Sequence, residues 1–188
     1  MTLKKVSPNT ISGSFSNDLI IRKLWAIEEL SKISNNFQTV YVLGSWYGNM
    51  GFVMSKTNDI EYDRLFNVDR DQEVLDTGEK LYKKSEIENA RFLKMDANRL
   101  KYQNAKDSNL VINTSTNNIK GNQWFKNIPK GSVVLLQGRN NDPGAVNKFE
   151  SLKDFKSHYP LKRILYAGSI DLTAANADYE SYMVIGIK

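Results

Sequence analysis

Apolar positions recur along this chain in short bursts with two different periods. Near the start, Ile20, Leu24 and Ile27 repeat at helical spacing behind Ser16 and Asn17, either of which can cap a helix, and Trp25 falls on a neighbouring face. After Asn35-Asn36 the pattern changes to a compact apolar run that stops at Gly44. Strands are expected at residues 40–43, 65–68, 91–95, 110–112, 133–136, 163–166 and 182–187. Helix-like segments at 49–55 and 73–84, and a shorter turn near 98–102, separate the early ones. Short β-branched runs alternating with helices make right-handed βαβ units, so a parallel sheet covered on both faces is expected. No convincing helix lies between the last two runs, which should therefore pair as an antiparallel hairpin at the sheet edge. The expected fold class is α/β, a three-layer αβα sandwich whose seven-stranded sheet is mostly parallel with an antiparallel C-terminal strand.

Composition narrows the chemistry. With 188 residues, 40% hydrophobic and 11% aromatic, the chain suits one domain spanning 1–188, led by a polar tail or lid over 1–15. The absence of cysteine removes disulfides, thiolate zinc sites, iron–sulfur clusters and thiol catalysis, and a single imidazole, His158, leaves no histidine-based metal site. No spanning segment or export signal is visible, so a cytoplasmic protein with no membrane partner is the expectation. The net charge of +5 suits an anionic partner and keeps nucleic acid possible. Basic residues nevertheless fall in scattered pairs, Lys4/Lys5, Arg22/Lys23, Lys83/Lys84 and Lys162/Arg163, interrupted by acids, which reads as a solvated mixed surface rather than a phosphate track.

The strongest local signal is Val40-Tyr-Val-Leu-Gly44-Ser45-Trp46-Tyr47-Gly48-Asn-Met-Gly51, a buried strand entering a glycine-bearing turn and then a helix. Gly44 permits the sharp turn, Gly48 would let backbone approach a ligand, and the helix N-terminus offers free N–H groups. Downstream, Asp69 follows Gly44 by 25 residues at the end of the second strand, beside Arg70, where a carboxylate can accept both hydroxyls of a ribose. Asp71 is the better candidate for capping the next helix. Asp96, followed by Ala97, ends the third strand within reach of an adenine amino group. All three places lie on the carboxyl edge, where doubly wound sheets bind ligands.

These residues, with the post-strand-four segment Val111-Ile-Asn113-Thr114-Ser115, resemble the class I, Rossmann-like S-adenosylmethionine-dependent methyltransferases, over nearly the whole chain from Asp18 to Lys188. The terminal hairpin is similar to the reversed seventh strand of that family, and Gly-Ser-Trp-Tyr-Gly and Ile-Asn-Thr-Ser resemble small methyltransferase-like proteins of tailed phages. The resemblance implies S-adenosylmethionine as cofactor and methyl transfer as activity. Gly44 to Gly48, Asp69, Arg70, Asp96, Ala97, Asn113 and Thr114 would be the cofactor-binding residues. The chain departs from the pattern in two places: Val42 stands where an acid usually precedes the first glycine, and Trp46 replaces the second glycine. Asn113-Thr-Ser also lacks the Pro-Pro-aromatic signature of amino-methylating nucleic-acid enzymes.

Methyl transfer from a sulfonium needs alignment and dryness more than covalent help. Asn113 and Ser115 are candidates to orient an acceptor, with Gln137 or Asn140 as hydrogen-bonding groups and His158 as the one imidazole available for general base work. The acceptor, expected to be a small molecule rather than RNA, is not named by the sequence. Two other readings stand beside this one. A catalytically degenerate fold could bind cofactor or a protein without transferring methyl. A short-chain nicotinamide oxidoreductase is suggested by Gly44-x-x-x-Gly48 and by Tyr102-x-x-x-Lys106, although that pair precedes the fourth strand.

Overall fold

Alternation within the strands builds two separate cores. In the computed structural model, which describes residues 13–103 and 109–188, β1 (Asn36–Leu43) sends Val40 and Val42 to one face and Tyr41 and Leu43 to the other. β2 (Glu61–Asp69), β3 (Ala90–Lys94), β4 (Asn109–Asn113), β5 (Val133–Arg139), β6 (Arg163–Asp171) and β7 (Glu180–Ile187) complete a single sheet in the order β3-β2-β1-β4-β5-β7-β6. The first five pair in parallel, and β7 runs antiparallel to both β5 and β6. The expected seven-stranded α/β sheet with its reversed C-terminal strand is thus present, and β7 is inserted between β5 and the edge strand β6.

On one face, Ala26, Ile27 and Leu30 of α1 (Asn17–Ser31) and Met50, Val53 and Met54 of α2 (Asn49–Thr57) cover Val40, Val42, Leu110 and Ile112. α3 (Gln72–Lys84) adds Tyr82, and Asp71 caps this helix by accepting from Glu73 N at 2.9 Å. The other face is aromatic: Trp124 and Phe125 of α4 (Gln123–Lys126), Phe155 of α5 (Leu152–His158), and the nearby Phe149 and Tyr159 pack edge-on around Val111, Leu136 and Tyr182. Burying each such side chain is worth about 1.5–3 kcal/mol, so both layers hold the sheet firmly.

Three expectations change. α1 turns a different stripe inward: Ala26, Ile27 and Leu30 are buried, whereas Leu24 is exposed and Arg22 and Lys23 are covered. That pair is therefore not part of a solvated surface. Strands β2 and β6 run well beyond their apolar centres, because ladder hydrogen bonds continue through polar residues such as Glu61–Arg64. Of the expected tail or lid, residues 1–12 lie outside the described residues, while Ser14 is buried and its carbonyl accepts from Asn49 Nδ2 at 2.7 Å.

Strand order reverses between β1 and β4, and the chain leaves every parallel strand at the same edge, so a crevice opens there. Its floor is fixed by Tyr82, whose buried hydroxyl donates to Gly48 O at 2.6 Å and so pins the start of α2 to α3. Tyr82→Phe removes this bond but leaves Gly48 O its bond from Phe52 N at 2.9 Å, and is expected to cost about 0.5–1.5 kcal/mol in urea unfolding, with the fold retained.

Candidate functional site

The turn after β1 is built from left-handed residues. Gly44, Trp46 and Gly48 have φ of 58°, 53° and 76°. At Gly44 a side chain is also excluded by space, since a Cβ would lie 2.9 Å from Ser115 Cβ. Trp46 adopts this conformation without being glycine, at a cost of roughly 1–3 kcal/mol, and two interactions hold it. Its N–H donates to Asp69 Oδ2 at 2.9 Å, and its ring stacks on Tyr47 with centroids 5.1 Å apart. The other Asp69 oxygen accepts from Asp71 N at 3.1 Å. Past the strand ends, Ser45 N donates to Val68 O at 3.1 Å and Met95 N to Asp69 O at 2.8 Å, which carries the sheet's register into the loops.

Two cavities meet at this turn. The larger, about 560 Å³, lies over the ends of β2 and β3, with Val68, Met95 and Ile119 as apolar walls and Asp69, Arg70, Asp96 and Lys120 as its charged groups. A carboxylate has about four acceptor positions. Asp69 spends two on the backbone, and Asp96 Oδ1 accepts from Asn98 N and Nδ2 at 2.9 and 3.1 Å, so both acids keep capacity toward the cavity. The smaller cavity, about 220 Å³, lies between α1, the β1 turn and the ends of β4 and β5. Gly44, Trp46, Ser115 and Asn118 line both, forming the neck between them.

The inner cavity is unusually cationic. Arg22 and Lys23 retain only 6% and 7% of their exposure there, and Arg139 joins them from β5. Arg139 is paired with Asp142 at 3.0 Å, and its guanidinium lies 4.6 Å from the centre of the Tyr179 ring. Asp18 accepts from the Tyr179 hydroxyl; burial opposes its ionisation, but hydrogen bonds from Ser16 and Tyr179 hold its pKa below the usual value. Burial lowers the Arg22 pKa and brings that of Lys23 down to about 8, with the neighbouring Arg22 charge adding to the effect. Gln137 fixes α1 in place by donating to Arg22 O at 2.9 Å, and Thr116 holds Gln137 O at 2.6 Å. Several buried polar atoms around this cavity have no hydrogen-bond partner among the described residues: Arg22 Nε, Ser45 Oγ, Asn49 Oδ1 and Gln137 Oε1.

The structure gathers most of the residues singled out in the sequence. Gly44, Ser45, Trp46, Asp69, Arg70 and Asp96, together with Ala97, Thr114 and Ser115, line one or both cavities. Six residues lie differently. Tyr47 is a core residue, and the close approach at Gly48 is to the Tyr82 and Phe92 rings, not to a ligand. Asn113 is buried beneath the site, where Oδ1 accepts from Ser115 N at 2.9 Å and shapes the loop. His158 lies on the half-exposed side of α5 against Asp154 and Phe149 and lines neither cavity, so no geometry supports it as a base here. Asn140 borders a separate cavity of about 330 Å³. Tyr102 is engaged elsewhere, donating to Trp124 O at 3.2 Å, and Lys106 lies outside the described residues. Arg22 and Lys23 are the residues that sequence reasoning missed; their signal was only that a basic pair interrupts the apolar face of α1.

Sheet order and cavity position together decide the architecture. The fold is that of the class I methyltransferases. N-methyltransferase NodS from Bradyrhizobium japonicum WM9, solved with S-adenosylhomocysteine, superposes with a TM-score of 0.72 at 10% identity, over 96% of this chain and 93% of that one. A SAM-dependent methyltransferase from Aquifex aeolicus gives 0.70 at 11% identity, over 97% and 99%. The [4+2]-cyclase SpnF gives 0.66 at 11% identity, over 90% and 80%, so this fold also carries other chemistry. No protein-family model and no curated protein matches the sequence, and nothing in these likenesses points to the phage-encoded group. Among the described residues no helix is long and apolar enough to cross a membrane.

Because Lys23 is held near a pKa of 8 in the fold against 10.5 when free, the unfolded chain binds more protons between those values. Stability should therefore rise as pH increases from about 8 to 10. Lys23→Met should flatten that rise and raise stability at pH 7 by about 1–3 kcal/mol in urea unfolding.

Proposed function

We propose that the protein binds S-adenosylmethionine along the carboxyl edge of β1, β2 and β3 and transfers its methyl group to a small acceptor in the inner cavity. The observation that carries this reading is the joining of two unlike cavities at one neck. The larger has ribose- and base-recognising carboxylates between apolar walls, and the smaller is polar and walled by α1. A nucleoside fits the first on chemical grounds: Asp69 retains acceptor positions for the two ribose hydroxyls, Asp96 can accept from an adenine amino group, and Met95 and Ile119 flank a flat ring. At the amino-acid end, the unpartnered Asn49 Oδ1 and Ser45 Oγ supply acceptors for an ammonium in place of the acid that Val42 replaces. Bound there, the cofactor would supply a methyl group already activated on a positive sulfur.

The chain's own contribution is then positioning. Gly44 keeps the neck open, Trp46 covers it with an aromatic face able to lie against a cation, and Ser115, held by Gly44 O at 3.0 Å, fixes the opposite rim. α1 walls one side of the inner cavity, and exclusion of water from it by bound ligands would favour group transfer over hydrolysis. The inner cavity, about 220 Å³, is shared by the cofactor's amino-acid end and the acceptor, and that small volume supports a small molecule over a folded RNA. A second reading, cofactor binding without transfer, draws on one observation: both carboxylates of the inner cavity, Asp18 and Asp142, are already engaged, leaving no free base for a protonated acceptor.

Calorimetric titration with S-adenosylhomocysteine tests the first reading. Asp69→Ala is expected to weaken binding more than tenfold, about 1.4 kcal/mol or above, and Asp96→Ala to weaken it less. Absence of binding to the unaltered protein, or unchanged affinity in both variants, contradicts the proposal.

A further inference from the structure

Charge counting in the inner cavity identifies the kind of acceptor. Arg22, Lys23 and Arg139 contribute three positive charges. Two acids face them, Asp18 and Asp142, so three positive charges meet two negative ones: Asp142 pairs with Arg139, while Asp18, which accepts from the neutral Tyr179 hydroxyl, keeps its charge and favours the charged forms of Arg22 and Lys23 without an ion pair to either among the described residues. Two of the cations are more than nine-tenths buried, with no carboxylate in ion-pair contact among the described residues and with Arg22 Nε unpartnered. Among the described residues, Lys23 Nζ has Leu19 O at 3.3 Å as its hydrogen-bond partner. Burying such charges costs several kcal/mol each unless something compensates them. Resting on the methyl-transfer reading, the count becomes more lopsided: S-adenosylmethionine brings a carboxylate and an ammonium that cancel, plus a sulfonium that adds another positive charge beside the neck. The larger cavity offers no relief, because Asp69 and Asp96 there are offset by Arg70 and Lys120.

We propose that Arg22 and Lys23 are the recognition site for an anionic acceptor, one bearing a carboxylate or phosphate group. A planar guanidinium and an ammonium side by side suit an oxyanion, the first by paired N–H donors and the second as a point charge. Gln137 and Thr116 fix α1, so both cations stand ready before the anion arrives, which lowers the ordering cost of binding. The groups facing Lys23 from its own helix are Asp18 and Arg22; from β5, the following loop and the segment before β7 they are Arg139, Asp142 and Tyr179. Lys23, its pKa brought down to about 8, loses its charge above that pH, so affinity for an anion of fixed charge, such as sulfate, should fall as pH rises from 7 to 9.

The experiment is calorimetric titration of inorganic phosphate, at fixed ionic strength, into protein saturated with S-adenosylhomocysteine. Phosphate is expected to bind; Lys23→Met and Arg22→Met are each expected to weaken it at least tenfold while changing S-adenosylhomocysteine affinity less than threefold. Circular dichroism and urea unfolding confirm that the variants fold. Phosphate that binds only without S-adenosylhomocysteine, with variants that lose affinity for that ligand but not for 5′-methylthioadenosine, would assign the cations to the cofactor's own carboxylate and overturn the proposal. Variants that bind phosphate as the unaltered protein does would show an adventitious ion only, with the same consequence. Should S-adenosylhomocysteine fail to bind at all, the methyl-transfer reading fails. The same phosphate titration on the free protein then still decides the anion site, supported by loss in Lys23→Met and overturned by no change.

Discussion

One carboxylate organises the carboxyl edge of the sheet in this molecule. Asp69, at the end of β2, accepts from the N–H of Trp46 across the crevice and from Asp71 in its own loop. The first bond holds a left-handed tryptophan in a turn that already contains two left-handed glycines, so its energy offsets backbone strain as well as fixing position. Everything placed on that edge depends on it: the neck between the cavities, the start of α2, and the wall against which a nucleoside would lie. A single group thus couples the backbone shape of the turn to the chemistry facing the cavity.

Around this clasp the fold provides rigidity. Alternating residues of β1 and β4 are covered on one side by α1 and α2 and on the other by a cluster of aromatic rings, so the strand ends are fixed by packing on both faces. Rigidity is what a methyl transfer without metal or thiol requires, because its barrier is lowered chiefly by alignment and exclusion of water. The buried cations of α1 run against this economy. Their cost to stability is accounted for if, as proposed, they act on something that enters the cavity.

What could be read from the sequence follows physical lines. The centres of β1, β4 and β5 were visible because their short runs buried on both faces are wholly apolar, and the turn was visible because Gly44 and the acid at position 69 mark the backbone geometry and its partner. The outer ends of β2 and β6 were not visible, since their hydrogen bonds are made by backbone and place no demand on side-chain type. Gly48 was misassigned because a left-handed glycine looks the same in sequence whether a ligand or the Phe92 ring approaches it. Arg22 and Lys23 were hidden for a different reason. A basic pair on a helix is ordinarily solvated, and only the tertiary placement of α1 over the crevice, fixed by Gln137 at a separation of 115 residues, turns that pair inward.

The central claim is that a ligand held by the Asp69 clasp occupies both sides of the neck. Hydrogen–deuterium exchange of the backbone, with and without S-adenosylhomocysteine, tests it most directly. Added protection is expected at residues 44–50, 69–71, 95–99 and 113–119 together, all at the carboxyl edge, with the α5 and β6 amides unchanged. Protection absent from the 44–50 turn, or confined to a region away from that edge, would contradict the account.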